Sequence, residues 1–241
     1  MKIRTYIFLL LAGLFFACNN SSWSYRNADK WPGKFKDCAA KYQSPINIDT
    51  SLAKPDSNLA PLFVDYLPAD TFAIARQNNR LIITGPTGSV TVPDTAFWGH
   101  IFYLVKLIIH SPSETAVNGK YFPAELQFIH RDTAGNYMVL SVLVDTGGVE
   151  NKAMELIVDN YKRSGAVVPE KLDLTLLMPY DVHYWHFTGS LSYPPCTPAQ
   201  WYVMQKPLKV SPSVLEKLQK LVSRPNTRAI KPLNGRRITE F

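Results

Sequence analysis

The chain has 241 residues, of which 46% are hydrophobic, and its formal net charge is +7. This length and apolar content suffice for one globular core, and they exclude disordered, collagen-like and coiled-coil chains. Because no basic tract is interleaved with aromatic residues, the positive charge does not indicate a nucleic-acid-binding protein.

The first residues are typical of an export signal. Lys2 and Arg4 precede an apolar run at 7–16, which is too short to span a bilayer. The small residue Ala17 then precedes Cys18, an arrangement that resembles the lipobox of bacterial lipoproteins. We therefore predict a signal peptide at 1–18 and a lipid anchor on Cys18 that holds the protein to a membrane of the cell envelope. The alternative is an ordinary signal peptide cut nearby, which gives a periplasmic or secreted chain.

Residues 19–241 are predicted to form one mainly β domain, because short apolar runs alternate with turn residues along this part of the chain. Helices are predicted at 151–162 and after the Ser211-Pro212-Ser213 start signal. Strands are predicted at 80–84, 89–92, 103–110, 124–130, 138–144, 172–177, 184–187 and 201–204.

Several separated motifs resemble the α-carbonic anhydrase family. They cover nearly all of residues 23–241 in the family's order: Gln43-Ser44-Pro45-Ile46-Asn47-Ile48, Pro112-Ser113-Glu114, Glu125-Leu126-Gln127-Phe128-Ile129-His130, Gly189-Ser190-Leu191-Ser192-Tyr193-Pro194-Pro195-Cys196 and Lys231-Pro232-Leu233. The resemblance implies a large, twisted, mostly antiparallel sheet with a few peripheral helices and a conical cleft. It also implies a disulfide between Cys38 and Cys196, as in exported members of the family.

The resemblance implies a zinc site whose ligands are incomplete. In the family, three histidines on two adjacent strands hold the metal, and a bound water takes the fourth position. Of the three matching positions, only His110 keeps its imidazole, whereas Ile108 and Gln127 replace the other two. A hydrocarbon side chain cannot coordinate a metal, and a neutral amide is a poor zinc ligand beside imidazole. We therefore predict that the chain holds no zinc and has no other cofactor.

Other residues around the family's zinc site are partly kept. Glu114 and Ser192 match the glutamate and threonine that orient the zinc-bound hydroxide, and Glu125 and His130 match residues that support the ligands. Tyr193 replaces a smaller residue and is expected to intrude on the substrate space.

The residues that move protons and balance charge are less well matched. No shuttle histidine follows the Asn78-Asn79-Arg80-Leu81 segment. Lys106, which precedes the first ligand position by two residues, either pairs with Glu125 or is a solvated cleft residue.

These residues predict an inactive carbonic anhydrase-like protein that binds a protein partner or a small molecule in its cleft. A working carbonate dehydratase with an unusual zinc site is the first alternative, and a purely structural or adhesive surface domain is the second.

Overall fold

The computed structural model describes residues 23–93, 99–161, 165, 167–222 and 226–241. The predicted signal peptide and Cys18 therefore lie outside the described residues. Within the described part of the chain, no helix is long and apolar enough to cross a membrane.

The architecture is mainly β, as predicted, and is built on a thirteen-stranded sheet. Its central strands run in the order β4-β5-β7-β10-β11-β14-β13, and most neighbours are antiparallel, although β11 pairs with β14 and β15 in parallel. The strands are β1 (Asn47–Ile48), β2 (Lys54–Pro55), β3 (Phe63–Leu67), β4 (Phe72–Gln77), β5 (Arg80–Thr84), β6 (Thr87–Val92), β7 (His100–His110), β8 (Ala116–Val117), β9 (Lys120–Tyr121), β10 (Ala124–Arg131), β11 (Tyr137–Thr146), β12 (Val167–Val168), β13 (Tyr184–Ser190), β14 (Pro198–Met204), β15 (Leu208–Val210) and β16 (Thr239–Glu240).

Both predicted helices are present. Helix α1 (Lys152–Asp159) begins where the Asn151 side chain accepts a hydrogen bond from the Met154 N–H, and α2 (Pro212–Leu221) begins in the same way at Ser211. Three 3-10 helices lie elsewhere in the described chain, at Tyr25–Gly33, Lys36–Ala39 and Leu174–Leu177.

The strand predicted at 172–177 is wrong, because most of this segment forms the 3-10 helix Leu174–Leu177. The Asp173 carboxylate accepts hydrogen bonds from both the backbone N–H and the hydroxyl of Thr175, which starts the helical turn. Leu174 and Leu177 are then both buried, three residues apart, so the apolar spacing suits a 3-10 turn rather than a strand.

The two faces of the sheet carry separate apolar cores. Side chains alternate between faces along each strand, so on β7 Leu107 and Ile109 join one core and Ile108 joins the other. The helix-side core contains residues of α1 and α2, including Met154 and Leu215. The cleft-side core, on the opposite face, holds the predicted zinc-ligand positions; its buried residues are Ile46, Ile48, Ala53, Ile82, Ile108, Ile129, Val139, Leu143, Trp185, Phe187, Leu191, Tyr193, Ala199, Trp201, Val203 and Ile238.

A disulfide between Cys38 and Cys196 fastens the N-terminal segment beside the cleft, as predicted. Both cysteines are buried with Tyr25 and Trp31 in a small cluster of their own. The bond closes a loop with a sequence separation of 158 residues, which makes it a long-range constraint on the unfolded chain.

Replacing both cysteines by serine, as Cys38→Ser with Cys196→Ser, should lower the free energy of unfolding. The chain-entropy estimate for so long a loop sets an upper limit of about 4–5 kcal/mol. Urea denaturation of the double variant and of the wild type, with and without reductant, measures the loss. Equal midpoints for the oxidised wild type and the variant would show that the bond does not stabilise the fold.

Candidate functional site

The three predicted ligand positions meet on the cleft side of the sheet. In the antiparallel pairing of β7 with β10, Ile108 lies directly opposite Gln127, and His110 lies opposite Glu125. On the two flanking strands, Ile82 of β5 lies opposite Ile108, and Ser141 of β11 lies opposite Gln127. The strand register therefore brings together the three ligand positions that were predicted from the sequence.

Gln127 is fixed by hydrogen bonds to two carboxylates. Its side-chain nitrogen donates to Oε2 of Glu114 at 3.0 Å and to Oε1 of Glu125 at 3.2 Å. Its side-chain oxygen accepts from the hydroxyl of Ser192 at 3.4 Å. Both ends of this buried amide are thus used within the protein.

His110 is buried and contacts the same network. Its Nδ1 lies within hydrogen-bond distance of the backbone carbonyl of Asn226, so Nδ1 carries the proton that this bond requires. Its Nε2 faces Oε2 of Glu114 at 3.4 Å. Burial lowers the pKa of His110 to about 4, although Glu125 and the Asn226 carbonyl act in the opposite direction. The imidazole is therefore neutral at physiological pH.

Glu114 links this network to the C-terminal segment. Its Oε1 accepts from the backbone N–H of Arg228 at 2.7 Å, while Oε2 accepts from Gln127. Burial raises the pKa of Glu114 to about 7, although hydrogen bonds from Ser192 and from the Arg228 N–H lower it. The predicted pair of Glu114 and Ser192 is thus together in the site, and Gln127 contacts both.

Glu125 is the most heavily hydrogen-bonded group of the site. The N–H groups of Glu114 and Thr115 both donate to its Oε2 at 2.8 Å. The hydroxyls of Thr115 and Ser141 donate to its Oε1 at 3.0 and 2.8 Å. With the bond from Gln127, this carboxylate accepts five hydrogen bonds and is satisfied without a metal or a cation.

This set of donors does not fit zinc. Ile108 presents only hydrocarbon, and it is packed in the cleft-side core. Gln127 directs N–H groups at its carboxylate neighbours, which leaves a single imidazole, His110, where zinc requires three or four N, S or O ligands. Among the described residues, no three His, Cys, Asp or Glu side chains are grouped closely enough to hold a metal ion.

Tyr193 is buried on the cleft side of the sheet, where it contacts an aromatic ring and two cations. Its ring is only 5% exposed and stacks on Trp23 with 6.5 Å between the ring centroids. The guanidinium carbon of Arg80 lies 4.1 Å from the Tyr193 ring centroid, and Nζ of Lys106 lies 5.1 Å from it. These distances are typical of cation–π contacts, so two cations flank one aromatic ring.

Lys106 does not pair with Glu125 in the described structure. The strand register places Lys106 opposite Ile129, whereas Glu125 lies opposite His110, four residues away along β7. Lys106 is instead half-buried against Tyr193, and burial together with the charge of Arg80 lowers the pKa of Lys106 to about 8. Both predictions for this residue, the ion pair with Glu125 and the solvated lysine, are therefore wrong. Lys106 makes a cation–π contact with Tyr193 instead.

Arg80 is the residue of the site that the sequence analysis did not select. No local pattern in the Asn78-Asn79-Arg80-Leu81 segment marks the long-range contact of Arg80 with Tyr193. The two-residue turn Asn78-Asn79, in which both residues have positive φ, joins β4 to β5 and places Arg80 at the first position of β5. Side-chain alternation then puts Arg80 on the same face as Ile82, which lines the cleft-side core.

His130, predicted to support the ligand positions, instead lies away from Gln127 and is hydrogen-bonded in the helix-side core. A register shift between Ile129 and His130 interrupts the pairing of β10 with β7. The His130 ring then stacks on Tyr66 of the helix-side core, and its Nε2 lies 2.9 Å from the Tyr66 hydroxyl. It therefore supports the fold and does not touch the three ligand positions. Burial lowers its pKa to about 3.

Because the pKa of His130 is lower in the folded state than its usual value near 6.5, the unfolded chain binds a proton that the folded chain does not. Stability is therefore lost as pH falls from about 6.5 towards 3, by up to about 1.4 kcal/mol per pH unit for this one group. The variant His130→Gln should show a correspondingly shallower pH dependence of the unfolding free energy between pH 6 and about 4.5.

The control is Tyr66→Phe, which removes the hydrogen bond but keeps the buried imidazole. It should lower stability at every pH by about 1 kcal/mol and retain the wild-type slope. Urea denaturation at several pH values measures both effects, and equal slopes for the wild type and His130→Gln would contradict the assignment.

Comparisons with known proteins agree with the fold. The family model described as "Eukaryotic-type carbonic anhydrase" matches residues 26–241. A carbonic anhydrase of Klebsiella pneumoniae is 30% identical over 231 residues, which cover 91% of each chain, and one of Neisseria gonorrhoeae is 28% identical over 231 residues, which cover 92% of this chain and 89% of the relative.

Solved structures give the same result. The α-carbonic anhydrase of Thermovibrio ammonificans, determined with the inhibitor sulfanilamide, superimposes with a TM-score of 0.81 at 31% identity and covers 90% of this chain and 98% of its own. That of Photobacterium profundum gives 0.79 at 32% identity, with 90% of this chain and 100% of its own covered. With the sheet and the paired cysteines described above, these matches show that the chain belongs to the α-carbonic anhydrase (eukaryotic-type carbonic anhydrase) family.

Proposed function

We propose that this chain is a carbonic anhydrase-fold protein without zinc or hydratase activity, and that its cleft serves as a binding site. The observation that carries this proposal is the position of Gln127. Its amide nitrogen donates to Glu114 and Glu125 at a position where the family has a zinc ligand. The two carboxylates are thereby satisfied by a neutral donor.

The packing of Ile108 supports the same conclusion. This side chain is fully buried in the cleft-side core and lies directly opposite Gln127. Occupying a metal position with a packed hydrocarbon removes one ligand and also excludes water from that side of the site. Since each lost ligand weakens metal binding, the single imidazole of His110 is insufficient for tight binding of zinc.

A working zinc carbonic anhydrase is the second candidate, and one observation favours it. The matched relatives carry the name carbonic anhydrase, and this chain shares with the family pattern His110, Glu114 and Glu125. Metal content and activity of the purified protein separate the two candidates directly.

Residues 19–241, purified and supplied with micromolar zinc, are expected to retain no stoichiometric metal after gel filtration. Their CO₂ hydration rate should equal that of the buffer. Elemental analysis and a stopped-flow pH-indicator assay make these measurements. A stoichiometric zinc signal that disappears in His110→Ala would establish the second candidate instead.

Restoring the two histidines tests whether the backbone still forms the tripod. The double variant Ile108→His/Gln127→His should bind zinc, because the strand pairing places both positions opposite each other and Glu114 and Glu125 remain to orient the imidazoles. Activity should recover less fully than zinc binding, since Tyr193 still fills the cleft.

The matched control is the triple variant that also carries His110→Ala. It keeps both added histidines but has only two of the three ligands, so its zinc affinity should fall by at least about tenfold. Equal zinc binding by the double and triple variants would show that the added histidines bind metal without forming the tripod.

We also propose that the protein is exported and lipidated on Cys18. The proposal is supported by the apolar run that ends at Ala17 and by the disulfide, since disulfides persist in oxidising compartments outside the cytosol. The binding cleft then belongs to the cell envelope.

When the full chain is expressed in a bacterial host, it should partition into the membrane fraction. The variant Cys18→Ser should move it to the soluble fraction, because the acyl chains that insert into the bilayer are absent. Immunoblots of fractionated cells, with a leader that lacks a cysteine as control, measure the distribution. A wild-type chain found only in the soluble fraction would contradict the anchor.

A further inference from the structure

The cleft contains a buried arginine whose charge has no anionic partner among the described residues. Arg80 is 3% exposed, and its Nη2 donates a hydrogen bond to the amide oxygen of Gln77 at 3.2 Å. Its Nε and Nη1 atoms are buried without a hydrogen-bond partner. Burial of an unpaired charge is costly, so a guanidinium in this state is a strong site for an anion.

Further donors surround the same place. The Tyr25 hydroxyl is also buried without a partner among the described residues. Burial raises the pKa of Tyr25 well above its usual value, with a contribution from the charge of Glu114, so the hydroxyl keeps its proton. Lys106 adds a second positive charge on the ring of Tyr193. Arg80 and Lys106 thus contact the ring of Tyr193, and Tyr25 packs against Trp23, the ring that covers Arg80.

The nearby carboxylates are hydrogen-bonded to groups other than these cations. Glu125 accepts five hydrogen bonds from other groups, and Glu114 is held by Gln127 and by the N–H of Arg228. Neither forms a salt bridge with Arg80 or Lys106 in the described structure. Trp23, which is half-buried, covers the Arg80 guanidinium with 4.9 Å between the guanidinium carbon and the ring centroid, so the site lies just beneath the surface.

We propose that a small planar carboxylate binds in the cleft against Arg80, with Lys106 and the Tyr25 hydroxyl as additional donors. The two free nitrogens, Nε and Nη1, belong to one planar guanidinium, whose fork geometry suits the two oxygens of a carboxylate. This inference deepens the proposed function, since it names a ligand class for the same cleft, but it requires only the Arg80 cluster and not the absence of zinc.

The test uses residues 19–241 treated with a chelator, and sodium acetate as the probe. Acetate replaces sodium chloride at constant ionic strength, up to about 50 mM, while the thermal unfolding midpoint is followed. Acetamide, which has a similar shape and no charge, is measured in parallel. We expect acetate alone to raise the midpoint, in a saturable manner.

Three variants locate the effect. Arg80→Gln should weaken acetate binding by about tenfold or more, because a charge-assisted paired contact is lost, and Arg80→Lys should weaken it less. Arg76→Gln is the matched control. Arg76 belongs to the same β4–β5 hairpin and lies over Tyr161, but it is exposed and outside the cleft. It should bind acetate as the wild type does.

Two results would overturn the inference: a wild-type midpoint that is equal in acetate and chloride, or an acetate shift of the same size in Arg80→Gln. In the second case Arg80 only packs against Tyr193. Measuring zinc in the same samples separates this inference from the proposed function. The acetate titration and the zinc measurement are therefore made before and after the chelator: a shift seen only while stoichiometric zinc is bound refutes both, whereas a zinc-free protein without any shift refutes this inference alone.

Discussion

The site depends on the carboxylate of Glu125, which is buried and accepts hydrogen bonds from three separate parts of the chain. The loop at Glu114 and Thr115, strand β10 and strand β11 all contribute donors to it. A buried carboxylate without such partners would cost several kcal/mol. The five hydrogen bonds therefore fix the positions of these segments relative to one another, and they determine which side chain can occupy position 127.

Glutamine is well suited to that position. An imidazole bound to zinc would present one N–H to the neighbouring carboxylates, whereas the Gln127 amide presents two and satisfies Glu114 and Glu125 together. Its oxygen remains for Ser192. Every polar group of the amide is therefore paired within the protein. The change at position 127 is thus compatible with a fold that keeps both carboxylates buried.

Because the two cores are separate, the zinc-ligand positions can differ from the family pattern while the fold is kept. The helix-side core packs α1 and α2 on one face of the sheet, and none of its buried members is one of the three ligand positions. Substitutions such as Ile108 and Tyr193 alter only the cleft side. On that side Ile108 occupies one ligand position, and Arg80 and Lys106 flank Tyr193; these are the groups on which the proposed anion site depends.

The sequence by itself determined the family, the helix starts at Asn151 and Ser211, the pairing of Cys38 with Cys196 and the chemical identity of the three ligand positions. Each of these depends on residue type at a known place, and local spacing or a motif is enough to predict it. Only the tertiary structure decided that Gln127 joins two carboxylates, that His130 turns to the helix side and that Arg80 stacks on Tyr193. These contacts join residues far apart in the chain or follow from a register shift, and no local periodicity encodes them. The failure at Leu174–Leu177 has a local cause instead, because a single side-chain cap at Asp173 decided the structure against the apolar pattern.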